Sequence, residues 1–264
     1  MKKLALLFTL ICFLSAVQAQ EEVERAQLSA RIGLSGTTML IPHSTISAQN
    51  AFGYGASEQL KLGVSGGLIV DVHLKNKLFL QTGVMYGWHR FHQVQTAIYD
   101  QEGSHYSIAS ENLYKMHCVK IPLMLYYHSS LESNHFVAGA GLFANVALGG
   151  KITYDASAVV TNPKDEKINY VASGQFDPFM NDAKYLYYHI ANDDYVNKYR
   201  LYKGNILNRF NMGVAGEVGY QISRFYVGVH ADFGLLNMIS KDFVGDNYME
   251  RFFSFQVMVG YNIN

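Results

Sequence analysis

His230 and Asp232 stand two residues apart. An imidazole held by a carboxylate is the pairing that takes a proton from water or from a nucleophile. Hydrolysis would also need a second acidic pair facing it to position the water, and no pair at a defined spacing offers itself. The plainer state of such a histidine is a hydrogen-bonded interior residue. Lys61, Asp71, Lys120, Glu217 and Asp232 form a second group, each set singly in apolar alternation. If they project into one enclosed space they must be paired or hydrated, because a lone buried charge is costly. They would be either ion pairs filling that space or the lining of a gated polar pore. His89 and His92 are three apart, which puts them on opposite faces of a strand and makes them poor joint metal ligands. Asp155, Asp165, Asp177, Asp182, Asp193 and Asp194 carry oxygen ligands, but their spacing fits no calcium loop. Tyr185, Tyr187, Tyr188, Tyr195, Tyr199 and Tyr202 crowd one polar stretch. Tyrosine is enriched in partner contacts, so these are a candidate partner surface, with a solvated capping loop as the alternative. No cysteine cluster, His-Glu-x-x-His, phosphate loop or nucleophile elbow occurs, and no catalytic, metal or cofactor-binding residue is assigned.

The elements that must position these residues are clearest in Leu60–Phe91. Leu60, Leu62, Val64, Leu68, Val70, Val72 and Leu74 fall on every second position with Gly66 the only gap, and Lys61, Gly63, Ser65, Gly67, Asp71 and His73 lie between them with Ile69 the only large apolar exception. After Lys75–Lys77 the alternation resumes, with Leu78, Leu80, Thr82, Val84, Tyr86 and Trp88 on one face. Period two over this length is a strand signal. Roughly 9–11 tilted residues cross a bilayer core, and each run is long enough. A soluble lipocalin-like barrel also alternates, with its apolar face inward. Its outer face would have to be charged, whereas the polar row here is mostly Gly, Ser, Ala and Gln. Small residues fit the crowded inside of a narrow barrel, so the apolar row belongs in lipid.

The same reading predicts eight strands in an antiparallel up-and-down transmembrane β-barrel. The first is about Gln27–Leu40, and the hairpin above supplies two more. A polar loop, about Thr96–Asn112, leads to the fourth, Leu113–His128, in which Pro122 predicts a bulge or weakened pairing. The fifth is about His135–Ile152, followed by a long insert, about Thr153–Asn205, with no sustained period. The sixth is about Ile206–Ile222, the seventh begins at Phe225, and the eighth carries Phe253 to Ile263. Connections alternate long and short. In barrels of this type the long ones lie outside and the short ones in the periplasm. Aromatics agree. Trp88, Phe210, Phe233 and Phe253 fall near the outer ends of lipid-facing rows, and Tyr127, Phe136, Tyr220, Phe225 and Tyr261 near the periplasmic ends. Such girdles sit at headgroup level.

Met1–Ala19 reads as a secretory leader: Lys2 and Lys3, an apolar middle, and Val17-Gln18-Ala19 before the cut. The barrel domain would be residues 20–264. Cys12 leaves with the leader, so Cys118 alone remains and no internal disulfide forms. The 21 basic residues balance 21 acidic ones, which gives no support to nucleic-acid binding.

Several stretches carry a resemblance. Val119-Lys120-Ile121-Pro122-Leu123-Met124-Leu125 is the most specific, joined by Leu78–Tyr86, Phe136–Gly150, Gly216–Tyr220 with Phe225–Gly234, and the ending Val259-Gly260-Tyr261-Asn262-Ile263. Together they resemble the PorT-like family of outer-membrane β-barrel proteins of gram-negative bacteria. The resemblance implies an outer-membrane location and barrel fold. The family's name-giving member is tied to type IX protein secretion, so a secretion or surface assembly is the implied setting. The insert is longer than the family's usual one, and no family role transfers to it. Three function classes follow. The first is a non-enzymatic barrel with a structural or interaction role in the envelope, its partners outer-membrane lipid and envelope proteins met through the outer loops. The second is a narrow pore or small-ligand-binding barrel. The third is a membrane hydrolase, since the His230–Asp232 spacing resembles the dyad of omptin-type proteases. No cofactor is expected.

Overall fold

The computed structural model describes residues 26–40, 55–101, 103–179, 207–239 and 250–263. The leader expected at Met1–Ala19 and the tyrosines Tyr185, Tyr187, Tyr188, Tyr195, Tyr199 and Tyr202 lie outside the described residues. The strands are β1 (Ala26–Leu40), β2 (Gly55–Lys75), β3 (Leu78–Gln101), β4 (Ser104–His128), β5 (Asn134–Thr161), β6 (Lys167–Phe176), β7 (Phe210–Ile222), β8 (Phe225–Gly234) and β9 (Arg251–Asn262). All neighbours pair antiparallel, in the order β4-β3-β2-β1-β9-β8-β7-β5-β6, and a further β4–β5 pairing closes the ring. Eight strands make the barrel. β6 is outside it, a ninth strand laid along the upper part of β5.

The two faces separate as the alternation requires. Ile32, Leu34, Leu62, Leu68, Val84, Ile121, Leu123 and Leu125 face outward and are at least half exposed, while Ser65, Asp71, Gln81, Lys120 and Glu217 on the opposite row are buried. On β4 the outward residues from Tyr127 to Val119 are apolar, and His117 follows them. That climb from Tyr127 to His117 is roughly 25 Å at ordinary strand rise and tilt, the height of a membrane-spanning apolar band. Tight turns join strands at one end. Asn76 and Ser223 adopt φ of 54° and 52° there, which the twist of a two-residue hairpin demands.

Three sequence expectations change. Thr96–Asn112 is not a loop: β3 and β4 pair without a break from Arg90–Lys115 up to Gln101–Ser104 and turn at Gly103, φ 79°. The insert is not aperiodic at its start, because β5 runs on to Thr161 and pairs with β6 from Ile152–Phe176 to Thr161–Lys167. Its turn is built by Asn162, whose side-chain oxygen accepts the amides of Lys164 and Glu166, both at 2.9 Å. The third expectation, a sixth strand from Ile206, shortens to a start at Phe210. Two local defects have clear causes. Pro122 has no amide to donate, and the β3–β4 ladder is interrupted between Thr82–Leu123 and Met85–Lys120. A bulge between His117 and Cys118 skips Leu148 on β5 and reverses which parity faces out above it. Arg209 braces the bulge by donating to the carbonyl oxygen of Leu148 at 3.1 Å.

Candidate functional site

The inward rows of β1, β2, β3, β4, β7, β8 and β9 meet in one hydrogen-bonded cluster. Arg31 is inward by the alternation Ala30–Arg31–Ile32, and its guanidinium donates to Glu217 Oε1. Its other terminal nitrogen is 3.6 Å from Asp71 Oδ2, and its plane lies 4.2 Å from the centre of the Tyr226 ring. Tyr226 donates its hydroxyl to Glu217 at 2.6 Å. Gln81 donates to Asp71 at 2.8 Å. His230 sits between two carboxylates: Nδ1 is 2.8 Å from Glu217 Oε2 and Nε2 is 2.7 Å from Asp232 Oδ1. Lys120 donates to Asp232 Oδ2 at 2.8 Å and comes within 3.0 Å of the same His230 Nε2. Gln256 also donates to Asp232, at 3.1 Å, and accepts from Ser65 at 2.8 Å.

Local sequence makes room for this. Ideal Cβ atoms at Gly139 and Gly219 would stand 2.5 Å and 2.4 Å from atoms of Tyr126 and Tyr226, so each ring lies flat across a glycine-bared strand. The tyrosines, the arginine and the carboxylates then fill a lumen that, at eight strands, is about as wide as its own side chains. Asp232, Gln81 and Gln256 are each 1% exposed, and His230 is 3% exposed.

A second, apolar layer closes the end with the long connections. Phe91 stacks on Tyr114 at 4.3 Å, and His89, hydrogen-bonded to Thr37 at 3.0 Å, meets Phe252 edge-on. Ile152, Tyr154, Phe176, Phe179, Leu207, Met238 and Ile239 continue this core. The insert and the β8–β9 connection are laced together there: Leu207 donates to the Pro178 carbonyl oxygen, and Asn208 to that of Met238. At the rim, Thr38 donates to Glu58 at 3.0 Å. Glu58 lies beyond the apolar band, where burial and the charge of Glu250 push its carboxyl up to about 7.

Asp71, Lys120, Glu217 and Asp232 lie in the cluster. Lys61 does not: it is half-buried, opposite Thr37, and makes no ion pair among the described residues. The residues that link the others are Arg31 and Tyr226, neither of which sequence reasoning singled out, and His230, read only as half of a dyad. Period two alone puts Arg31 on the inner row. Its contacts with β7 and β8 depend on barrel closure. Phe210, Phe136, Phe225 and Tyr261 are exposed on the outer wall, and Tyr127 is half exposed there. Phe136 packs edge-on against Tyr220 at 4.7 Å, and Phe225 against Tyr261 at 5.3 Å. Trp88, Phe233 and Phe253 are partly covered, with Phe233 directly opposite Phe253.

As chemistry, the cluster is self-contained. Both nitrogens of His230 already face protein groups, so neither is available to a water in the lumen. Among the described residues no group of three or more His, Cys, Asp or Glu side chains could hold a metal ion.

A model of the outer membrane protein beta-barrel domain matches residues 18–240. No curated protein sequence matches the chain. Among solved structures, the attachment invasion locus protein Ail of Yersinia pestis aligns at 9% identity over 90% of this chain and 99% of its own, TM-score 0.32. Neisserial surface protein A aligns at 9% identity over 91% and 100%, TM-score 0.33. OprG from Pseudomonas aeruginosa aligns at 9% identity over 90% and 96%, TM-score 0.34.

Proposed function

The chain belongs to the outer membrane protein beta-barrel domain family, and from that premise we propose that it is a closed barrel holding an interaction surface at the outer face of the envelope. The observation that carries this reading is the contrast between lumen and strands. The lumen is filled by charged and then apolar side chains. The strands β3, β4 and β5 meanwhile continue well past the apolar band, and β6 widens them into a sheet. A narrow lumen filled by its own side chains leaves no open conduit, whereas a sheet standing clear of the headgroups suits a binding role. The rule that long connections face outward supports an outer-face position for this sheet.

The finer PorT-like assignment is carried by Val119–Leu125 and would put the partner in a secretion or surface assembly. A pore reading is disfavoured by the side chains packed from Asp71 to Ile239. A hydrolase reading is disfavoured by the double engagement of His230. The test is a photo-crosslinking residue placed at Val171 or Ile168 of β6, which are 83% and 44% exposed. In intact cells both positions should capture one envelope protein, and a position on the short-turn end such as Leu131 should not. Capture from Leu131 alone would reverse the orientation. Stepwise conductance of the purified protein in a planar bilayer would reject the closed barrel.

A further inference from the structure

Just above Trp88 the register puts three cations in one row. Arg90 is directly opposite Lys115, and Lys115 is directly opposite Lys151. All three face outward: Arg90 and Lys115 by the parity of their strands, Lys151 because the bulge has reversed β5. Like charges directly opposite one another destabilise a sheet, so this row has a reason to exist only if something anionic meets it. The described protein supplies no such group. Among the described residues none of the three makes an ion pair and the buried Nε of Arg90 has no hydrogen-bond partner. Glu111, the next acid on β4's outer face, is four residues further up, roughly 13 Å away, and pairs with His92 at 3.6 Å. Asp177, just past the end of the β5–β6 pairing, turns to the amide of Phe179 at 2.8 Å.

The height of the row names the anion. It stands one same-face step above Trp88 and His117, at the top of the apolar band, where headgroup phosphates lie. Arg90 lies 5.1 Å from the centre of the Trp88 ring. The ring can rest at the acyl boundary while the guanidinium points into the headgroups. Below the row, Tyr86, Val119 and Val146 continue the acyl-facing wall. We propose that Arg90, Lys115 and Lys151 form a binding site for the phosphorylated headgroup of a membrane lipid, with the acyl chains lying on the wall beneath. This rests on the membrane reading but not on which end faces outward, nor on any protein partner.

Trp88 is the chain's sole tryptophan, so its emission reports on this site without a label. The full chain, folded in neutral detergent, is titrated with a bis-phosphorylated glucosamine lipid. A saturable change in Trp88 emission is expected, weakening as salt rises. Each neutralised cation should weaken binding about fivefold, and R90Q/K115Q/K151Q together on the order of a hundredfold. The same lipid stripped of its phosphates should bind wild type and triple variant alike. Heat-modifiable migration checks that the variants are folded. If the triple variant does not fold, K151Q alone, changing the most exposed of the three, still has to show its fivefold loss. Undiminished binding by a folded variant, or equal binding of the stripped lipid, overturns the site. Inorganic pyrophosphate saturating at the same concentration as the lipid would make it a free-anion site and overturn the lipid assignment. Loss of lipid binding would leave the crosslinking outcome at Val171 untouched, and the reverse holds too.

Discussion

Arg31 is the residue whose loss should be felt most widely in the barrel. It faces Glu217 and Asp71 at once, and removing one partner of a buried pair leaves an uncompensated charge, which costs about 3–5 kcal/mol. Arg31→Met should lower the unfolding free energy measured by urea titration in lipid vesicles by that amount, and Asp71→Asn in the same background should recover part of it. Lys120 and Glu217 do not touch. They are coupled through His230, which contacts both. The Lys120→Met/Glu217→Gln double-mutant cycle should therefore be non-additive, and strict additivity would mean that His230 transmits nothing between them. On the outer wall, Val84 is 56% exposed. Val84→Arg should cost about 2–4 kcal/mol if it lies near the midplane. A spin label at that position should be relaxed by oxygen and not by a water-soluble agent. Which row faces lipid was legible in single residues, because Gly63, Ser65 and Gly67 could not cover a soluble surface. Which charges meet was not, because Arg31 reaches Glu217 from a strand far away in sequence.

Among the elements, β5 and β6 show why periodicity lost its way in the insert. The bulge at Leu148 shifts the phase of β5, so Ile152, Tyr154, Ala156 and Ala158 continue the inner face on the opposite parity. Read against the lower half, that run looks patternless. The turn signals Asn162, Pro163 and Asp165 were in plain view. Phe176, Phe179 and Leu207 then make the end of the insert part of the core. Replacing about 162–198 with a short linker would remove two of those rings and should weaken the folded band on a gel, whereas a linker confined to 180–206 should preserve it. The rim offers a pH test. The Glu58 carboxyl is raised from 4.5 to about 7, so the folded state holds a proton that the unfolded chain has released. Stability should fall as pH rises from about 4.5 to 7. Glu58→Gln should flatten that slope, and an unchanged slope would show that Glu58 is not its source.

For the molecule as a whole, the closed lumen predicts electrical silence. Planar bilayers carrying the purified protein should show no stepwise conductance, and Phe91→Ala with Phe252→Ala should be needed before any leak develops. The eight-stranded ring was readable from alternation, whereas the Thr96–Asn112 connection and the added strand β6 were not. The double seal was not, since it is made by side chains from strands whose heights only the closed ring aligns.

The strands are very unequal. β3, β4 and β5 have 24, 25 and 28 residues, while β7, β8 and β9 have 13, 10 and 12. A barrel with one towering flank and one low flank has a front and a back within the plane of the bilayer. A neighbour diffusing past would meet the sheet from one compass direction only, so an encounter depends on spin about the membrane normal as well as on position. Tethering the low flank to another membrane protein would hold that heading fixed and raise the encounter rate without any new contact at the sheet.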